Sequence, residues 1–116
     1  MFLFRLSVVA IAIMFLSSLA YAEDIGPFRY KCDDGMSFTI TFVKAEGESS
    51  PMKARLTLPE SRDVILLTNQ GGASGIHYAN DRYAYDEWQG NVSFRDSSRK
   101  VKGKAAQEVS CHEVKK

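Results

Sequence analysis

The residue pattern of this chain predicts an all-β fold, a small antiparallel β-barrel of about eight strands closed by one disulfide. Three observations carry that expectation. Apolar and polar residues alternate across most of residues 28–112, as they do in strands that bury one face. Turn-forming residues interrupt the alternation at short intervals. Cys32 and Cys111 stand near the two ends of the alternating region, and in an oxidising compartment such an even pair reads as one bridge.

The compartment is read from the first residues. Arg5 and the α-amino group make a short positive region, and residues 6–16 are apolar apart from Ser7. Ala20-Tyr21-Ala22 then sets small residues at the −3 and −1 positions of a signal-peptidase site. The apolar stretch falls short of the roughly 20 residues that span a bilayer. No cysteine lies at the cleavage region, so a lipid-modified mature end is not expected. The division predicted is a signal peptide over residues 1–22, cleaved after Ala22, and one soluble domain over residues 23–116.

Within that domain the strands follow in order. Phe28, Tyr30 and Cys32 alternate with Arg29 and Lys31, and Asp33-Asp34-Gly35 suits a tight hairpin whose central residues need positive φ. Met36, Phe38, Ile40 and Phe42 alternate with Ser37, Thr39 and Thr41. A polar loop over residues 44–50 leads to Met52, Ala54, Leu56 and Leu58, alternating with Lys53, Arg55 and Thr57. Residues 64–67 are all apolar, which predicts a central strand covered on both sides. Asn69-Gln70-Gly71-Gly72 ends it, and strand-like segments resume at 74–79, 82–88 and 91–95, with weaker ones at 100–104 and 107–112. A bridge from the first strand to the last favours closure. An eight-stranded barrel is just filled by its own side chains, which argues against a small-molecule carrier. The bridge would close a loop of about 80 residues and add roughly 4–5 kcal/mol in the chain-entropy description.

Charge excludes some partners. The chain carries 15 Lys and Arg against 14 Asp and Glu, and loss of Arg5 with the signal leaves the domain neutral. Neither nucleic acid nor a membrane surface is expected as a partner. Arg99, Lys100, Lys102 and Lys104 read as a solvated strand face. Metal and cofactor chemistry find no support. There is no Cys-x-x-Cys, and His112 beside Cys111, like the pairs Asp33-Asp34 and Asp86-Glu87, falls on opposite strand faces. Asn91-Val92-Ser93 matches a glycosylation sequon, which matters only in a eukaryotic secretory pathway.

Catalysis is disfavoured on the same geometric ground. Ser74, His77 and Asp81 are close in sequence, but on a strand Ser74 shares a face with Ile76 and Tyr78 while His77 points the other way. A nucleophile and its base must lie within hydrogen-bond reach, so no enzymatic triad is expected and His77 reads as an exposed or half-buried strand residue. The distinctive stretch is 73–94, with Ser74-Gly75-x-x-Tyr78, then Tyr83, Tyr85 and Trp88-Gln89-Gly90. Glycine beside serine lets backbone approach another surface, and Tyr and Trp anchor protein interfaces. The same aromatics also suit a barrel core.

Taken together, Tyr30-Lys31-Cys32-Asp33-Asp34-Gly35, the apolar strands, Ala73-Ser74-Gly75-Ile76-His77-Tyr78, Tyr83 and the late Cys111 resemble the bacterial inhibitors of C-type lysozyme. The absence of a lipobox cysteine resembles the soluble, periplasmic branch. The resemblance implies a non-enzymatic, disulfide-braced barrel, a monomer or homodimer, that needs no cofactor and takes C-type lysozyme as its protein partner. It implies that Ser74 donates to the catalytic carboxylates from a loop inserted in the cleft, that Tyr78 supports the loop, and that Gly75 permits the close approach. In that family a second motif carries Trp, a residue, Lys and Gly. Here Trp88 is followed directly by Gln89 and Gly90, one residue shorter and without the cation, and Arg82 stands as a substitute. C-type lysozymes are strongly basic, so only local acids such as Asp81, Asp86 and Glu87 would meet that surface. The alternative reading is a non-inhibitory envelope binding domain of the same fold.

Overall fold

The structure, a computed structural model, describes residues 22–72, 75–101, 103–105 and 107–115. Residues 1–21, which carry most of the signal-peptide expectation, and Ser74 lie outside the described residues.

The alternating segments become strands. They are β1 (Ala22–Cys32), β2 (Ser37–Ala45), β3 (Lys53–Thr57), β4 (Ile65–Asn69), β5 (Ile76–Ala79), β6 (Tyr83–Trp88) and β7 (Asn91–Asp96). Two short strands, β8 (Lys100–Val101) and β9 (Lys104–Ala105), precede β10 (Val109–Glu113). Eight of them form a closed antiparallel barrel in the order β1-β10-β7-β6-β5-β4-β3-β2, and β8 and β9 pair separately. The predicted fold class is therefore the observed one.

Closure leaves each strand one inward face, and those faces supply the core. Phe38, Ile40, Ala54, Leu56, Leu67, Tyr85 and Phe94 are all buried to within 2 %. Phe38 and Phe94 stack with centroids 4.4 Å apart, and Tyr85 meets both Phe38 and Tyr30 edge-on. These rings fill the interior, each such pair contributing about 0.5–1.5 kcal/mol beyond its buried area. Cys32 and Cys111 are direct partners in the β1–β10 register and form the disulfide, closing a separation of 79 residues. The bridge welds the seam at which the chain's two ends meet.

A hairpin forms at Asp33-Asp34-Gly35, but three residues separate the paired Cys32 and Met36, and only Gly35 among them takes positive φ. Gly35 takes φ +94°, Asp34 Oδ1 accepts the Met36 amide at 3.0 Å, and Cys32 N donates to Met36 O at 2.7 Å.

Three expectations need correction. The run at 64–67 is not covered on both sides. Leu67 is fully buried, but Val64 and Leu66 are 58 % and 61 % exposed, because among the described residues none packs over the outer face there. Residues 100–104 are not one strand but the β8–β9 hairpin, turning through Gly103 at φ +80°. Finally, β1 begins six residues before Phe28. It pairs with β2 from Ala22 onward, with a register shift between Ile25 and Phe28 that the alternation of Phe28, Tyr30 and Cys32 did not reveal.

Candidate functional site

The barrel has two mouths, and the strand directions decide which candidates share one. The starts of β1, β3, β5 and β7 and the ends of β2, β4, β6 and β10 surround one mouth, here the upper. The β4–β5 loop and the β6–β7 turn both lie there.

Their association has a local cause. Ile76 pairs with Glu87, which brings Gly75 alongside the end of β6. Gly75 adopts φ +75°, and a Cβ added to it would lie 2.3 Å from the Glu87 carbonyl oxygen and 3.5 Å from Cε3 of Trp88. Only glycine fits. The close approach at Gly75 is thus already used inside the chain, where it clamps the β4–β5 loop against β6.

Trp88 is 52 % exposed beside that clamp. It pairs with Asn91 across Gln89 and Gly90, whose φ values of +52° and +81° make a two-residue turn of the type I′ kind. Gln89 is exposed at its tip. The preceding arm of the loop is tied down by backbone: Gln70 N donates to His77 O at 2.8 Å, and Gly71 N donates to Asn69 Oδ1 at 2.7 Å.

Tyr78 is 3 % exposed, with its ring on Phe42 at 5.1 Å and its hydroxyl donating to Pro51 O at 2.6 Å. Burial pushes its phenol above the ordinary value, against the lowering effect of Asn69. It braces the far wall of the same mouth. Between that wall and Gly75 runs an open apolar groove of about 540 Å³, lined among others by Phe42, Pro51, Met52 and Ile76.

Two candidates do not join this group. Arg82 and Tyr83 lie at the lower mouth, at the opposite end of the β5–β6 hairpin from Gly75 and Trp88. Arg82 Nε and Nη2 donate to the two oxygens of Asp96 at 2.9 and 3.2 Å, and the guanidinium sits 4.8 Å over the Tyr83 ring. Tyr83 is 5 % exposed and stacks on Phe94. A cation held this way cannot reach the loop at the upper mouth.

The acids divide likewise. Glu87 turns inward to the Tyr85 hydroxyl, which donates to it at 3.3 Å, while Asp86 faces outward. Asp81 lies in the β5–β6 turn at the lower mouth. Asp34 pairs with Arg99 at 2.6 Å. Among the described residues no cluster of three or more His, Cys, Asp or Glu is arranged to hold a metal.

One pairing escaped the sequence reading. His77 Nδ1 and Asp86 Oδ1 lie 2.5 Å apart, as direct cross-strand partners on the outer face. The carboxylate beside His77 is therefore Asp86 rather than Asp81. A signal existed: once Asp81-Arg82 is taken as a two-residue turn, counting back along both arms sets 77 opposite 86.

A search of curated protein sequences gives no match. Among solved structures, the fold matches a crystal structure of Pseudomonas aeruginosa MliC in complex with hen egg white lysozyme. The TM-score is 0.54 at 19 % identity, over 84 % of this chain and 88 % of that one. Residues 30–97 match the family model of MliC, described as the membrane-bound lysozyme-inhibitor of c-type lysozyme. That span takes in the loop, Tyr78, Trp88 and the Gln89-Gly90 turn, more than half of the chain. The chain belongs to the family of MliC inhibitors of C-type lysozyme.

Proposed function

We propose that this protein inhibits C-type lysozyme outside the cytoplasm, in the periplasm, by setting its upper mouth against the lysozyme cleft and so protecting peptidoglycan. It is a binding protein, and the observation that carries the reading is the clamp between Gly75 and Glu87. Within the span that matches the family, this contact sets Gly75, the sequence neighbour of Ser74, against the end of β6 beside the exposed Trp88 turn.

The chemistry suits the target. Lysozyme cleaves with one protonated carboxylic acid and one ionised carboxylate on either side of the glycosidic bond. A serine hydroxyl between them both donates and accepts, which satisfies the two acids and excludes the sugar. In this reading Ser74 is the inserted group, Trp88 and Gln89 contact the rim, and Gly75 and Tyr78 hold the loop and the mouth in shape. Arg82 and Tyr83 stabilise the far end.

A second reading, a non-inhibitory envelope binding domain, draws on one observation. The Gln89-Gly90 turn has only two residues and carries no cation.

A cell-wall lysis assay separates the two. Purified residues 23–116 are expected to suppress a C-type lysozyme at near-stoichiometric amounts, with Ser74→Ala weakening suppression about tenfold or more. Absence of suppression at large molar excess would leave the non-inhibitory reading. A goose-type enzyme run in parallel reports selectivity.

A further inference from the structure

We infer that His77, held by Asp86, is a positioning residue for the loop between β4 and β5, setting the height and angle at which that loop stands on the barrel. The inference rests on the reading of this loop as the inhibitory element.

The pair lies where it can act on the loop. His77 and Asp86 are direct partners on β5 and β6, and their side chains are half-buried, at 34 % and 27 % exposure. The 2.5 Å contact uses Nδ1, so it fixes the ring plane. The opposite edge of the ring then faces the loop: a Cβ built on Gly72 would stand 3.4 Å from Cδ2 and 3.8 Å from Nε2. The same residue's carbonyl accepts the Gln70 amide at 2.8 Å. His77 therefore holds the loop by main chain at Gln70 and sets its ring edge beside Gly72, where a Cβ would come into contact with it.

The other arm of the loop is fixed independently, at Gly75 on Glu87 and Trp88. With one arm clamped on β6, the ring decides how far the other can settle. Tipping the imidazole away from Asp86 would open the space beside Gly72. Glycine suits residue 72 through its φ of +116°, a backbone conformation that L side chains rarely adopt.

Among the described residues, Asp86 faces the ring from β6. The β4 side brings Gln70, Gly71 and Gly72, and Ala73 and Ser74 carry no charge by sequence. Beyond Asp86 stands Ser93 of β7, its register partner. Imidazole ordinarily changes charge between pH 5 and 8, and on protonation Nε2 changes from acceptor to donor at the edge that faces the loop.

The test uses the purified protein and the variants His77→Gln, His77→Ala, Asp86→Asn and Asp86→Ala. Four readouts are taken: lysozyme inhibition constant, thermal midpoint, amide hydrogen exchange at Gly71 and Gly72, and the pH profile of inhibition between 5 and 8. His77→Ala and Asp86→Ala are expected to weaken inhibition roughly five- to tenfold at a temperature where both remain folded. Exchange at Gly71 and Gly72 should quicken, and Asp86→Asn, which keeps an acceptor for Nδ1–H, should recover most of the loss. The ratio of the His77→Gln constant to that of wild type should vary with pH, which cancels the lysozyme's own titration. A purely structural pair would lower the thermal midpoint and leave the inhibition constants and loop exchange at wild-type values, which overturns the inference. If wild type fails to inhibit, the functional reading falls, and the exchange rates alone still decide whether His77 holds the loop.

Discussion

The α-carbon of Gly75 rests against the carbonyl oxygen of Glu87, so close that a methyl group there would lie 2.3 Å from it. Gly71, four residues earlier, has nearly the same φ, +71° against +75°, but a Cβ there would meet nothing within 4 Å. The two positions separate backbone conformation from packing. Gly71→Ala is expected to cost about 1–2 kcal/mol, the penalty of left-handed backbone alone. Gly75→Ala should cost at least about 2 kcal/mol more, because backbone at β6 would have to move. Urea midpoints at unchanged slope measure both, and equal losses would deny the clamp.

Gln89 holds φ +52° at the first central position of a two-residue turn. Such turns favour Asn, Asp or Gly, which tolerate left-handed backbone. Gln89→Asn should raise stability by about 0.5–1 kcal/mol, read as a higher thermal midpoint. A fall in midpoint would show that the Gln89 side chain makes a contact worth more than the strain.

Trp88 and Tyr78 should respond in opposite ways. Trp88 is 52 % exposed, so Trp88→Ala should leave the unfolding free energy within about 1 kcal/mol of wild type. The same change should weaken lysozyme inhibition at least tenfold, as loss of an aromatic anchor does. Tyr78→Phe removes the donor to Pro51 O and should cost about 1 kcal/mol of stability with a smaller effect on inhibition. Paired denaturation and inhibition measurements check the contrast.

At the lower mouth Asp96 gives a pH signature. Burial alone would raise its carboxyl, but hydrogen bonds from Arg82 and Ser98 outweigh that and hold it below its ordinary value. A carboxylate lowered by folding contributes stability above its unfolded pKa and loses it as pH falls through the folded one. Asp96→Asn should therefore be less stable than wild type at pH 7, with the gap closing as pH falls below about 3.8, the ordinary Asp value. A gap constant from pH 7 to pH 2 would mean that Arg82 does not act through the charge of Asp96.

The barrel was legible because alternation and strand pairing share one cause. A segment that buries every second side chain must lie extended, and Phe38, Ile40, Leu56, Tyr85 and Phe94 mark the inward face of their strands in the sequence as clearly as in the core. The bridge was legible for a similar reason, since two cysteines leave a single pairing. The run at 64–67 misled because its apolar side chains are not all buried: Val64 and Leu66 face water. Hydropathy there reports residue type, and only the closed sheet says which face turns inward. The β8–β9 hairpin was missed because two-residue strands are too short to show a period.

The site was half legible. Residues 74–78 and 88–90 stood out as motifs, and the upper mouth unites their described members. Arg82 looked like a cation near Trp88 because six residues is a short distance in sequence. On an extended strand it spans roughly 20 Å, which sets Arg82 and Trp88 at opposite mouths.

From the sequence alone came the all-β class, the strand faces, the paired cysteines and the motif stretch, since each depends on local spacing and residue type. Tertiary structure decided the meetings that spacing does not announce: the close approach of Gly75 to Glu87, and Arg82 held by Asp96 away from the loop. Those meetings depend on register and strand direction, which arise only when the sheet closes and one turn fixes the count for every pair beyond it.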